Sequence, residues 1–459
     1  MRSSARDVAT RLGRTLGVLA LLGGLTCGAS PLFAFQGTLA PPSAAPEGAW
    51  DRFPKVDAAQ PFLDYAKAWP ARVGDAGARG ICIDIPGPTF RPRAITIFFD
   101  PEAVPAADNP DAKALFTRFG LPLDSKIVLE GARAFVESAA PVPDGPRPPR
   151  RLVNPAAATF KFVSAREIKR DDHTVYAIDH TLFTYFEPAG EAAQHPKGLV
   201  LLLPGLLATP EGTLWGLTRT LQSRGYGVLR MVAQPARFLE HTSVTVDPAS
   251  PERAEREINE LFTQRLAECA YASKGALDHL IELHPELKAL PLAAIGFSGG
   301  AITLPTIVAL EPERYRAAVM VGGGAHFWQM QEFSNYSSMI DALEVNWTIP
   351  PTEESKQAIR DAYAKGVPLD ALHTSKALHG KPMLVIQGDA DQAVPSPLGD
   401  VLWERLGKPE RWLEHCGHED LFISLPLKFE AIAQWLDKAL GADAASAPSP
   451  SPSGSNETP

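Results

Sequence analysis

Ser298 stands at the centre of Gly296-Phe297-Ser298-Gly299-Gly300, after the apolar run Leu290 to Ile295 and before the apolar run Ala301 to Leu310. This layout predicts a strand, a sharp turn and a helix, with the hydroxyl at the apex. Glycines two before and two after a strained turn residue remove side chains that closely packed backbone would not admit. A serine hydroxyl becomes a nucleophile when a base takes its proton, and the base needs an acid to fix its tautomer and stabilise its charged form. Both types of group follow. Apolar Met383 to Ile386 leads into Gln387-Gly388-Asp389-Ala390-Asp391-Gln392-Ala393-Val394-Pro395, and Arg411 to Glu414 leads into His415-Cys416-Gly417-His418-Glu419-Asp420. The order is nucleophile, acid, base. The glycine-serine pattern alone arises by chance in about one such chain in seven, so its context carries the weight.

Such groups need a scaffold, and the chain beyond residue 156 supplies one. Phe160 to Val163, Thr174 to Ile178 and Thr181 to Phe186 flank the polar turn Arg170-Asp171-Asp172-His173 and read as a hairpin. Strands and helices then alternate. Leu199 to Leu203, Gly227 to Val232, Leu292 to Ile295, Ala317 to Val321, Met383 to Ile386 and Arg411 to Glu414 are the strands. Leu214 to Ser223, Glu252 to His284, Ala301 to Leu310 and Lys428 to Leu440 are the helices. Strands apolar throughout, each followed by a helix, imply an α/β fold with a doubly wound, mostly parallel sheet covered on both faces. In such a sheet functional groups gather beyond the carboxyl ends of the strands, which is where the three motifs fall.

Over roughly Lys197 to Leu440 these motifs resemble the α/β-hydrolase superfamily. The elbow Gly296 to Gly300 matches that family's nucleophile turn, Gly388 to Pro395 its Gly-x-x-Asp-x-x-Val-Pro segment, and Gly417-His418 its Gly-His pair. The resemblance implies Ser298 as nucleophile, Asp391 as acid and His418 as base, in a serine esterase or lipase-like enzyme needing neither metal nor organic cofactor. Asp389 competes with Asp391, and His415 with His418; the motif alignment favours the second of each pair, with His415 expected half-buried at a strand end. Gly299 would supply one oxyanion N–H and Leu206, in Pro204-Gly205-Leu206-Leu207, the other. Relatives commonly carry His-Gly where this chain has Pro204-Gly205. Pro305 should kink the helix after the elbow or remove one of its hydrogen bonds.

About sixty residues separate Val321 from Met383, and residues 325 to 377 are expected to form a helical cap. Phe327, Trp328, Met330, Phe333, Tyr336, Met339 and Trp347 within it suit an apolar acyl or aryl ester, or else form the cap's own core. The Gly299-Gly300 pair is also similar to prolyl-oligopeptidase-type hydrolases, which makes a serine peptidase the second reading. A propeller of the kind those enzymes carry needs more than the chain available before the hairpin. A non-catalytic binding protein on the same scaffold would have no physical need to keep all three groups.

The remaining sequence bounds the setting. Residues 1 to 34 read as a secretory signal peptide: Arg2, Arg6, Arg11 and Arg14 precede apolar Leu16 to Leu25, then Gly28, Ala29 and Ser30. A secreted or periplasmic protein is expected. Lipidation at Cys27 is disfavoured because Gly24 and Thr26 occupy the positions where a lipobox has Leu and a small residue. No stretch is long enough to predict a stable membrane span. The formal charge is −9, and without the +3 of residues 1 to 34 it becomes −12, since −9 − 3 = −12. Such an acidic chain has no basic face for nucleic acid. Residues 35 to 155 are expected to be an N-terminal extension with a small mixed unit, containing a strand at Ile81 to Ile85, another at Ala94 to Phe99 and a helix at Asp111 to Phe119. It ends in a proline-rich linker over Pro141 to Pro155, before a hydrolase domain over 156 to 441. Residues 442 to 459, rich in Ala, Ser and Pro, cannot bury enough surface to order. Cys82, Cys269 and Cys416 allow at most one disulfide. Oligomeric state leaves no trace in the sequence.

Overall fold

The computed structural model describes residues 59–68, 80–85, 98–131, 158–169, 173–206, 209–337 and 342–441. The expected signal peptide, the proline-rich linker and the C-terminal segment lie outside the described residues. Thirteen strands are present among them: β1 Gly80–Asp84, β2 Phe98–Pro105, β3 Lys126–Gly131, β4 Ala158–Lys169, β5 Thr174–Phe186, β6 Gly198–Leu203, β7 Tyr226–Met231, β8 Thr242–Val246, β9 Leu292–Phe297, β10 Tyr315–Val321, β11 Leu343–Trp347, β12 Met383–Gly388 and β13 Glu410–Glu414.

The main sheet has eleven strands, with β1-β4-β5-β7-β6-β9-β10-β12-β13 along its path and β2 and β3 branching from β5. From β7 to β13 all neighbours are parallel, and β5 joins β7 antiparallel. The exchanged order of β6 and β7 places β6 beside β9, so the loop after Leu203 meets the turn after Phe297. In β6 every residue is buried. Leu199, Leu201 and Leu203 face one cluster, containing the helices Glu252–Leu283 and Gly299–Leu310; Val200 and Leu202 face a second cluster, under Glu211–Ser223 and Phe429–Ala439. A strand covered on both faces must be apolar at both parities, which is why the sequence shows runs there instead of alternation.

One detail differs from the sequence expectations. Thr174 to Ile178 and Thr181 to Phe186 are one continuous strand, whose register with β4 runs from Lys169↔Thr174 to Ala158↔Tyr185. The N-terminal strands join the main sheet: β1 pairs with β4 and β3 with β5, and Phe116 and Leu115 pack against Val163 and Ile178. The N-terminal residues thereby cover apolar groups that the long hairpin would otherwise expose. Pro305 lies inside the helix Gly299–Leu310, which continues through it with the one hydrogen bond lost that a residue without an N–H cannot donate. The expected helix at Asp111 to Phe119 is Pro110–Phe119, capped by the Asn109 carboxamide, which accepts from the Asp111 and Ala112 N–H groups. Cys82, Cys269 and Cys416 are all free thiols.

The insertion after β10 packs onto the long helix Glu252–Leu283. Its strand β11 pairs in parallel with β8, a ladder that sequence reading did not anticipate. Asp370, 2% exposed, anchors the start of the insertion by accepting from the His326, Phe327 and Leu372 N–H groups and the Tyr363 hydroxyl.

Candidate active site

Ser298 joins β9 to the helix Gly299–Leu310 with φ 49° and ψ −116°, a conformation that costs a non-glycine residue free energy. Hydrogen bonds hold it there. Its N–H donates to the Val321 carbonyl at 2.8 Å, and its carbonyl accepts from Ala301 and Ile302 at 2.8 and 3.0 Å. A Cβ at Gly296 would fall 2.5 Å from the Gly300 carbonyl oxygen, and one at Gly300 would fall 2.4 Å from that of Leu203. Neither backbone atom can yield, so both glycines are required by contact as well as by pattern. Ser298 is left half-buried at the carboxyl end of β9.

His418 opens the helix His418–Ser424 directly after β13, and Asp391 lies in the loop after β12. His418 Nε2 is 3.0 Å from Ser298 Oγ, and Nδ1 is 2.6 Å from Asp391 Oδ2. The other carboxylate oxygen, Oδ1, accepts from the Ala393 and Val394 N–H groups at 2.9 Å each. Both side-chain carriers are 5% exposed. The competing residues go elsewhere. Asp389 pairs with His415 at 2.5 Å, and the His415 side chain is 91% exposed, not half-buried as expected. Residue parity explains it: His415 leaves the strand on the solvent side, while Gly417 lets the chain turn His418 inward.

The imidazole of His418 is confined on several sides. Phe422, one helical turn on, meets it edge-to-face at 4.9 Å, and Tyr336 from the insertion does so at 6.0 Å. Gly322, with φ 60°, brings the end of β10 close behind it: a Cβ there would lie 3.2 Å from His418 Cε1. The Tyr336 hydroxyl donates to the Glu419 carboxylate. Burial and this acidic neighbour both push the Tyr336 phenol well above its usual range.

Beside Ser298 lies the loop after β6. An added Cβ on Gly299 would sit 3.0 Å from the Leu206 nitrogen and 2.5 Å from its Cγ, and one on Gly205 3.2 Å from Ser298 Cβ. The Gly299 and Leu206 amides are thus neighbours at the serine, and Gly299, as the first residue of its helix, has no intrahelical acceptor for its N–H. Two side chains fix the loop: the Thr209 hydroxyl accepts from the Gly205 N–H at 2.9 Å, and Gln234 Nε2 donates to the Pro204 carbonyl at 2.8 Å. Gln234 left no mark in the sequence because only the fold brings β7's exit beside β6's, and Thr209, four residues after Gly205, reads as ordinary loop.

The aromatic residues of the insertion divide. Phe327, Trp328 and Met330 are buried, with Phe327 and Trp328 packed on Phe262. They form packing core, so the substrate character read from them is not theirs to give. Phe333 lies beside Arg360, Trp347 belongs to β11 and Met339 lies outside the described residues. Tyr336 alone of the group touches His418 among the described residues. Among those residues there is no cluster of ligands for a metal ion and no helix long and apolar enough to cross a membrane.

Strand order, the single antiparallel neighbour β5 of the parallel strands, the strained elbow after β9 and the loops carrying Asp391 and His418 after β12 and β13 define an α/β-hydrolase fold. No model of a protein family and no curated protein matches the chain. Solved structures similar to it include Est1E from Butyrivibrio proteoclasticus, at 14% identity over 60% of this chain and 99% of that one, TM-score 0.38. The Pyrococcus furiosus esterase Pf2001 is 15% identical over 61% and 93%, TM-score 0.38. The Pyrococcus horikoshii acylaminoacyl peptidase is 11% identical over 61% of this chain but 46% of its own, TM-score 0.38. At such identities and scores the assignment rests on this chain's own geometry.

Proposed function

We propose that the protein is a serine hydrolase cleaving carboxylic esters through an acyl-enzyme. The observation that carries the reading is the continuous array Ser298 Oγ, His418 Nε2, His418 Nδ1, Asp391 Oδ2, at 3.0 and 2.6 Å, with its histidine and aspartate buried. In the first half-reaction His418 takes the Ser298 proton as Oγ bonds to the ester carbon. Charge moves onto the carbonyl oxygen, where the Gly299 and Leu206 N–H groups receive it. The C–O bond to the alcohol then breaks, and His418 returns the proton to the leaving oxygen. Water repeats the sequence on the acyl-enzyme, releasing the acid and restoring Ser298. Asp391 holds the Nδ1–H tautomer and stabilises the imidazolium that forms in each half.

An apolar acyl or aryl group is the substrate this reading favours, because Leu206, Phe422 and the ring of Tyr336 border the serine and histidine. Export is part of the proposal and rests on the arginine-led apolar stretch at residues 2 to 25; a cell fraction that retains the protein with its amino terminus intact would refute it. A fluorophosphonate probe tests the chemistry. Ser298 should be labelled in folded protein and Ser298→Ala should not. Absence of labelling, or equal labelling of the variant, overturns the hydrolase reading. Comparison of p-nitrophenyl esters with aminoacyl anilides then decides between ester and peptide, and faster anilide turnover would favour the peptidase.

A further inference from the structure

Three consecutive residues of the insertion, Ser334, Asn335 and Tyr336, touch both of the loops that deliver the acid and the base. Ser334, 9% exposed, donates its hydroxyl to the Ala393 carbonyl at 2.6 Å, and the Asn335 N–H donates to the Gln392 carbonyl at 3.0 Å. Gln392 and Ala393 directly follow Asp391, and the Ala393 N–H is one of the two donors that fix the Asp391 carboxylate. The same Ser334 hydroxyl accepts from the Tyr336 N–H at 3.0 Å, which sets the direction of the tyrosine. Tyr336 in turn bonds Glu419, next in sequence to His418, and lays its ring edge-to-face against the imidazole. Acid loop and base helix belong to different strands, and this short segment spans them.

We propose that Ser334-Asn335-Tyr336 is a splint that sets Asp391 and His418 in register, with Tyr336 as a positioning residue for the imidazole. The proposal rests on the serine hydrolase reading given above. An imidazole held at Nδ1 alone can pivot about that bond, and Nε2 must face Ser298 Oγ in one step and the leaving oxygen in the next. Phe422 restrains one side of the ring from within the same helix. Tyr336 restrains it from outside that helix, so its position is referred to the acid loop through Ser334. A splint of this kind acts on the chemical step and leaves ground-state binding of a small ester nearly untouched.

The test uses the full chain and p-nitrophenyl acetate, a substrate too small to fill a pocket wall. Tyr336→Ala should lower kcat about 10- to 100-fold with KM within about twofold. Tyr336→Phe, which keeps the ring and loses the Glu419 bond, should recover most of that loss, and Ser334→Ala should lower kcat several-fold. The rate of fluorophosphonate labelling should fall in parallel with kcat, because it too depends on an aligned base. A rise in KM at unchanged kcat would make Tyr336 a pocket wall, and unchanged labelling rates would remove it from positioning; either result overturns the proposal. If Tyr336→Ala does not fold, Tyr336→Leu, which fills the space without an aromatic edge, takes its place under the same criteria. Failure of the unmodified protein to label at all would instead refute the hydrolase reading itself.

Discussion

Replacement of Asp391 by asparagine separates orientation from mere polarity at this site. In the folded protein Oδ1 accepts two backbone N–H bonds, from Ala393 and Val394, and Oδ2 accepts from His418 Nδ1. An asparagine carboxamide has one oxygen, and two donors already point at the Oδ1 position. Its oxygen must therefore remain there, leaving the NH₂ group against Nδ1. That nitrogen is forced to accept, so the proton moves to Nε2, where it faces the Ser298 hydroxyl and cannot take its proton. The loss of the correct tautomer at a geometrically intact site is worth about 10³- to 10⁴-fold in kcat/KM, or about 4 to 5 kcal/mol of transition-state stabilisation. Asp389→Asn disrupts only an exposed pair with His415 and should change kcat/KM by less than about threefold. Initial rates on p-nitrophenyl butyrate, with thermal melting to show that both variants are folded, measure the contrast. A folded Asp391→Asn within tenfold of the parent, or a larger loss from Asp389→Asn, would refute the assignment of the acid.

The other predictions concern the scaffold. Gly300→Ala places a methyl 2.4 Å from the Leu203 oxygen and 2.8 Å from the Pro204 oxygen, and should cost about 2 to 4 kcal/mol in urea unfolding. Gly212→Ala, inside the helix Glu211–Ser223 with nothing within 4 Å of the new carbon, should be neutral or stabilising by up to about 1 kcal/mol. Equal effects at the two glycines would mean that the elbow is not tightly packed. Burial holds the His326 imidazole at about 4, against the opposing attraction of Asp370, from an ordinary 6.5. Its contribution to stability is complete above pH 6.5 and is lost as pH falls toward 4, by up to about 3 kcal/mol, because the unfolded chain takes up the proton first. His326→Asn, with a residue that tolerates the positive φ of 68°, should flatten this part of the curve. Parallel pH profiles of the two proteins between 7 and 4.5 would contradict the cause given.

The legible part of the molecule was the part with local causes. β6, β9 and β12 are buried on both faces and so announce themselves as apolar runs, and Ser298, Asp391 and His418 follow strand ends with turn residues beside them. Residues whose role is created by distant packing left no such mark. Gln234 holds Pro204 because β6 and β7 pair in parallel and end side by side, and Tyr336 meets His418 because the insertion folds back along the loop that carries Asp391. His415 lies outside where its strand-end position suggests because a strand end does not reveal which face the next residue takes. A missed signal did exist at Phe422: four residues after His418, it had to share the face of any helix that carried the base.

The ladder between β8 and β11 decides how the interior is reached. Five residue pairs, Leu343↔Thr242 to Trp347↔Val246, rivet the insertion to the body, and the buried Arg265 guanidinium donates to the Glu240 and Ala342 carbonyls on either side of that seam. Swinging the insertion aside would break this ladder and part the Arg265 guanidinium from the Ala342 carbonyl, so turnover is expected to proceed without hinged opening of the insertion. Turnover should then start without a lag at any substrate concentration, and a slow, viscosity-dependent onset in stopped-flow traces would show that the rivet gives way.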